Sequence, residues 1–64
     1  MQFTQIDLDI INLLRQAGQI GLEGKQVLPT VKRGRVAYRI YKLEKLGLVR
    51  RTKKWRGQVT WFIV

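Results

Sequence analysis

The sequence contains neither cysteine nor histidine, and it contains no serine. Without cysteine no disulfide can stabilise the fold, and without cysteine or histidine the usual zinc ligand sets cannot form. The side chains that most often act as general base or nucleophile are missing as well. We therefore expect a protein that is not an enzyme and that carries no metal or other cofactor.

Acidic residues are scarce, and the charge is unevenly distributed. The chain has 13 Lys and Arg against 4 Asp and Glu, a net charge of +9. Residues 1–31 carry two basic and three acidic side chains, whereas residues 32–56 carry eleven basic side chains against Glu44 alone. A cationic segment beside a near-neutral one is typical of proteins that bind polyanions.

Long apolar runs are also absent. The longest covers residues 61–64, far short of the roughly 20 residues that span a bilayer, and the N-terminus lacks the pattern of a signal peptide. The length of 64 residues fits one domain, residues 1–64, that is marginally stable alone. We expect a soluble cytoplasmic protein with no membrane partner, associated with the nucleoid.

A first helix is predicted to begin after Thr4, because Thr4 can act as N-cap with Asp7 three residues later, and to end at Gly18. Leu8 lies roughly opposite the apolar face of this helix, and Ile11 flanks it. Two explanations remain open for these side chains: packing against the C-terminal strand, or contact in a homodimer. We favour the homodimer and assign Leu8 and Ile11 to its interface.

A short second helix is predicted over residues 22–28, weakened by Gly24 and ended by Pro29. Ile20 is predicted to lie in a brief strand before it. Residues 48–53 and 58–64 are predicted to pair as a hairpin, with Gly57 in the turn.

A third helix is predicted over about residues 33–46 and is ended by Gly47. Val36, Ile40 and Leu43 recur at helical spacing and predict its buried face. The other side is basic and aromatic, which is how proteins present side chains to a DNA groove. Its members are Arg35, Tyr38, Tyr41, Lys42 and Lys45.

Residues 43–51 read L-E-K-L-G-L-V-R-R, a helix end followed by basic residues. This segment resembles the L-E-x-x-G-L-V pattern of winged helix-turn-helix regulators from bacteria, archaea and viruses. The resemblance implies an α+β fold with three helices followed by a two-stranded β-hairpin wing. It also implies that the third helix enters the major groove of double-stranded DNA, while a basic wing, about residues 50–58, contacts the flanking backbone or the minor groove.

In that arrangement Arg35 and Tyr38 are expected to reach base edges. Arg39 lies nearer the core edge and serves either a phosphate or an internal ion pair. The later basic residues are expected to contact phosphates, which fix register without reading sequence. The candidate DNA-binding residues are Lys32, Arg33, Arg35, Tyr38, Arg39, Tyr41, Lys42, Lys45, Arg50, Arg51, Lys53, Lys54, Trp55 and Arg56.

The expected function is therefore a DNA-binding transcriptional regulator, acting as a repressor without a small-molecule effector. Two alternatives stay open. The same fold can serve as a protein-protein interaction module of a transcription or replication assembly, for which Leu8, Ile11 and Trp55 are the apolar candidates. It can also bind RNA, with Tyr38, Tyr41 and Trp55 stacking on unpaired bases. Trp55 either contacts nucleic acid or packs on protein.

Overall fold

The computed structural model describes residues 3–53 and 59–64, and it describes Lys53 only by its backbone. Its strands form one antiparallel sheet in the order β1-β3-β2, so the last strand of the chain lies in the middle. Short 3-10 turns lie at Gly18–Ile20 and Gly24–Gln26. In chain order the helices and strands are α1 (Gln5–Ala17), β1 (Leu22–Glu23), α2 (Arg33–Lys45), β2 (Val49–Lys53) and β3 (Val59–Ile63).

The prediction of three helices followed by a two-stranded hairpin is wrong, because the described residues form two α-helices and a three-stranded sheet. Residues 22–28, predicted as the second helix, form β1 and the 3-10 turn Gly24–Gln26 instead. Leu22 pairs with Trp61 and Glu23 pairs with Thr60 in the central strand. Pairing with a distant strand thus overrides a local helix that Gly24 already weakens. Ile20, predicted in a strand, lies in a 3-10 turn.

Close approach of the backbones accounts for the glycine that precedes β1. Gly21 has a φ of 70°, and a Cβ at this position would lie 2.6 Å from the carbonyl oxygen of Trp61. It would also clash with the ring of Phe62. Only glycine lets the chain reach β3 here.

Helix α1 begins and ends at the residues that the sequence indicates. The Asp7 N–H donates to the Thr4 hydroxyl at 3.2 Å, and the Thr4 N–H donates to the Asp7 carboxylate at 2.9 Å. This reciprocal capping box satisfies donors that the first turn leaves unpaired. Gly18 ends the helix with a φ of 58°.

The core lies between the two helices and one face of the sheet. The predicted buried face of α2 is confirmed, since Val36, Ile40 and Leu43 are almost fully buried. Among the described residues no helix has the length and apolar character needed to cross a membrane. The buried apolar residues are Ile10, Leu14, Val27, Val36, Ile40, Leu43, Val49 and Trp61.

The end of α2 directs the chain into the sheet. Gly47 has a φ of 79°, its N–H donates to the Glu44 carbonyl at 3.0 Å, and the Leu48 N–H donates to the Leu43 carbonyl at 3.1 Å. This is the Schellman arrangement that glycine permits after a helix. It fixes the angle between α2 and β2, which carry most of the described positive charge.

Candidate nucleic-acid interface

The side of α2 that faces away from the core carries the predicted basic and aromatic residues. Burial of Val36, Ile40 and Leu43 sets the rotation of the helix, so residues on the opposite side project outwards. Tyr38 is 58% exposed and Tyr41 is 44% exposed. We refer to this surface as the basic-aromatic face; its members are Arg35, Tyr38, Tyr41, Lys42 and Lys45, all exposed.

Tyr38 lies at the centre of this face beside two cations. The Lys42 Nζ is 5.3 Å from the centroid of the Tyr38 ring, and the Arg39 guanidinium carbon is 5.8 Å from it. Both distances are in the range of cation–π attraction. An exposed aromatic ring is thus flanked by positive charge on this face.

The positive charges of the basic-aromatic face have no acidic partners in the described part of the chain. Ion pairs there join Lys25 to Glu23, Arg39 to Asp7 and Arg51 to Glu44. None involves a cation of the basic-aromatic face. A cluster of uncompensated cations raises the local positive potential and attracts an anionic partner.

Arg39 serves the internal ion pair, one of the two roles that the sequence left open. Its Nε donates to Asp7 Oδ1 at 2.7 Å and its Nη2 donates to Asp7 Oδ2 at 2.5 Å. Asp7 is fully buried. The hydrogen bonds from Arg39, together with those from Thr4, outweigh burial and hold the pKa of the Asp7 carboxyl below its usual value. The pair joins the first turn of α1 to the middle of α2.

Arg33, which was predicted to contact DNA, has a guanidinium that binds the preceding loop. Nη1 donates to the Gly24 carbonyl at 2.6 Å, and Nη2 donates to the Val27 and Leu28 carbonyls at 2.6 and 2.7 Å. Leu28 has a φ of 48°, an uncommon conformation for a residue other than glycine. Arg33 therefore ties the segment that replaces the second helix to the start of α2.

The side chain of Arg51, a residue of β2, extends toward α2. Its Nε is 3.1 Å from Glu44 Oε2, and its guanidinium carbon is 5.0 Å from the Tyr41 ring centroid and 5.7 Å from that of Trp61. The Tyr41 and Trp61 rings meet edge to face at 5.5 Å. This cluster fixes Tyr41 at one border of the basic-aromatic face.

Arg50 points away from α2. Successive residues of a strand face opposite sides of the sheet, and the Arg50 guanidinium lies 4.8 Å from the ring centroid of Phe62 on the far side. The structure therefore separates Arg50 from the basic-aromatic face. Lys32, at the N-cap of α2, is exposed and adjoins that face.

Four predicted wing residues lie wholly or partly outside the described residues. The side chain of Lys53 and the whole of Lys54, Trp55 and Arg56 lie outside the described residues.

Of the predicted dimer residues, Leu8 is 43% exposed, whereas Ile11 is half-buried and packs against the core. Only Leu8 thus offers substantial apolar surface from this pair.

Sequence reasoning missed the roles of Arg33 and Glu44. Arg33 donates to three loop carbonyls, and Glu44 forms an ion pair with Arg51 of β2. The spacing of residues along the helix does not predict either contact. For Arg39 a signal exists, since its helical angle lies beside the buried face.

No family model, curated protein or solved structure matches the chain. In residues 3–53 and 59–64 no cluster of acidic side chains is arranged to hold a metal ion.

Proposed function

We propose that the protein binds double-stranded DNA through α2 and acts as a transcriptional regulator, specifically a repressor. The observation that carries this proposal is the basic-aromatic face: three exposed cations without described acidic partners, set around an exposed Tyr38. An α-helix fits the major groove of B-form DNA. The likeness of residues 43–51 to winged helix-turn-helix regulators supports the same function.

Two roles divide this face in the proposal. Arg35 lies in the first turn of α2, is exposed and forms no ion pair with a described residue, so in this proposal it reads a base edge with Tyr38. Lys42 and Lys45 lie in the last turn and are placed to contact phosphates. Arg33 and Arg39 support the helix from within rather than contact DNA.

The wider proposal is a cytoplasmic, nucleoid-associated homodimer that binds without a small-molecule effector and catalyses no reaction. Repression by occupying a promoter needs only a DNA-binding domain. Leu8 supplies exposed apolar surface for a second copy.

Fluorescence anisotropy of a mixed-sequence duplex, titrated with protein at several salt concentrations, tests DNA binding. We expect saturable binding whose log affinity falls with log salt by about 0.9 per phosphate neutralised. No binding at about 50 mM salt would contradict the proposal, since electrostatic attraction is strongest at low salt.

A matched pair of double variants locates the surface. Arg35→Gln with Lys45→Gln removes two charges from the basic-aromatic face and should weaken binding by about tenfold or more. Arg15→Gln with Lys25→Gln removes the same charge elsewhere and should weaken it about twofold at most. Equal losses would show that net charge, rather than this face, drives binding.

Single-stranded RNA of the same length provides the comparison for the RNA-binding alternative. Exposed Tyr38 and Tyr41 favour that alternative, because aromatic side chains stack on unpaired bases. Tighter binding to single-stranded RNA than to duplex DNA at equal salt would overturn the DNA proposal in its favour.

A further inference from the structure

Gly34 lies in the first turn of α2 and has no internal reason to be glycine. Its φ is not positive; among the described glycines only Gly18, Gly21 and Gly47 have a positive φ. A Cβ built at Gly34 meets no atom of the described residues within 4 Å. The contrast is Gly21, where a Cβ would clash with β3. Neither conformation nor internal packing therefore requires glycine at this position.

Glycine at this position nevertheless weakens the helix. It destabilises an α-helix relative to alanine, because the unfolded glycine backbone has more freedom to lose. Gly34 is exposed and lies within the regular helix Arg33–Lys45. The space above Gly34 is therefore open to a ligand, because no described residue fills it.

The surroundings of Gly34 favour an anionic ligand. Gly34 is four residues before Tyr38, so it extends the basic-aromatic face by one turn. A shallow cavity of about 660 Å³ opens beside it, lined by Thr30, Val31, Lys32, Gly34 and Arg35. Two cations and a hydroxyl-bearing residue around an opening of this kind suit the anionic sugar–phosphate backbone.

We infer that Gly34 is the point of closest contact between α2 and the sugar–phosphate backbone of a DNA duplex, and that its missing side chain sets how deeply the helix docks. The inference rests on the proposed DNA binding and adds a positioning residue to it. Gly34 makes no base contact itself. It lets Arg35 and Tyr38, one and four residues later, reach further into the groove.

Substitutions of increasing size test this role. Gly34→Ala should raise the melting temperature by a few degrees, because alanine favours the helix, and yet weaken duplex binding. We expect a loss of about tenfold for Gly34→Ala and about a hundredfold for Gly34→Leu, where each factor of ten is about 1.4 kcal/mol. Opposite effects on stability and affinity are not expected of a residue that acts only through folding.

Gln16→Ala and Gln16→Leu are the matched controls, because Gln16 is exposed on α1, the other helix. Both should bind duplex as the wild type does. Wild-type affinity in Gly34→Ala and Gly34→Leu, with the wild type itself binding, would overturn the inference and leave the proposed function standing. No duplex binding by the wild type at about 50 mM salt would overturn both.

Discussion

At the scale of single residues, the Asp7–Arg39 pair is the strongest electrostatic feature among the described residues. A buried carboxylate is costly unless a cation and hydrogen bonds compensate it, and Asp7 has both. Arg39 therefore contributes to folding although it lies on the helix that carries the exposed cations of the basic-aromatic face. Arg35 and Arg39 lie four residues apart on α2 and differ in environment: Arg35 is exposed, whereas Arg39 is half-buried against Asp7.

Replacing Arg39 tests this role. Arg39→Met keeps much of the side-chain volume and leaves the Asp7 carboxylate buried without its cation, so we expect a loss of about 3 kcal/mol in the free energy of unfolding. Urea denaturation measures it. Arg35→Met is the control, expected to change stability by less than about 0.5 kcal/mol because Arg35 is exposed. Equal effects of the two substitutions would contradict the role assigned to the pair.

The pH dependence of stability follows from Asp7. Its pKa is lowered in the folded protein, so its contribution is fully present above the unfolded pKa of about 3.9. That contribution is lost as the pH falls from there through the folded pKa. We expect Asp7→Asn to be less stable at neutral pH and to show a flatter acid limb than the wild type, measured by urea denaturation from pH 2 to 7. Asp9→Asn is the control, because the Asp9 carboxylate accepts an exposed hydrogen bond from the Gln5 amide of the same helix; we expect it to change stability at neutral pH much less than Asp7→Asn does.

The proposed roles of Arg35 at a base edge and of Lys45 at a phosphate can also be tested with single substitutions. Arg35→Ala should relax sequence preference and cost about 1–3 kcal/mol at the preferred site, whereas Lys45→Ala should weaken all sequences about equally. Site selection from a random duplex pool followed by titration of matched and mismatched duplexes measures both. Parallel losses on every sequence for both variants would remove the division.

At the scale of elements, the segment between β1 and α2 lies where the sequence predicted a second helix. The Arg33 guanidinium binds this segment through its backbone carbonyls. The planar fork of Arg33 reaches three carbonyls in different directions, which a lysine ammonium on a single stem cannot reproduce. Arg33→Lys should cost about 1–3 kcal/mol of stability. Amide hydrogen exchange should accelerate most in residues 24–28.

Arg35→Lys is the control for that substitution, because it makes the same change two residues away on the exposed side of α2. We expect its exchange rates and stability to match those of the wild type. Faster exchange spread evenly over the chain in Arg33→Lys would argue against a local role for this side chain.

The same loop shows what sequence reasoning can and cannot reach. Capping residues, glycine stops and the spacing of Val36, Ile40 and Leu43 are local signals, and they placed α1 and α2 to within a residue or so. Strand β1 is two residues long, and its only reason to be a strand is a partner at the far end of the chain. The partners of Arg33 and Glu44 are close in sequence, but both contacts depend on how the loop and β2 fold back onto α2, which residue spacing does not predict. The exposed cations of α2 were predictable because helix rotation follows from the buried face.

At the scale of the whole molecule, the predicted dimer residue Leu8 and the exposed cations lie in different parts of the chain, although exposed apolar side chains also occur at Ile20, Leu46 and Val64. The exposed cations are concentrated from Lys32 onwards, while Leu8 lies on the near-neutral first helix. A second copy bound at Leu8 would contact the near-neutral first helix rather than the basic-aromatic face of α2. This arrangement is compatible with a dimer that presents two α2 helices to one duplex.

Sedimentation velocity of the wild type and Leu8→Glu tests the dimer. We expect the wild type to sediment as a dimer and Leu8→Glu as a folded monomer, because a buried glutamate without a partner opposes association. Gln16→Glu introduces the same charge at another exposed position of α1 and should remain dimeric. A monomeric wild type would remove the dimer from the proposal.

The pairing of β1 with β3 has a consequence for the order of folding. β2 and β3 are close in sequence and follow α2, so their pairing closes a short loop. Pairing of Leu22 with Trp61 closes a much longer loop. Closing the longer loop costs more entropy. The C-terminal half should therefore form the nucleus, and α1 with β1 should dock after the rate-limiting step. Gly21→Ala would then mainly accelerate unfolding and leave the refolding arm of the chevron almost unchanged.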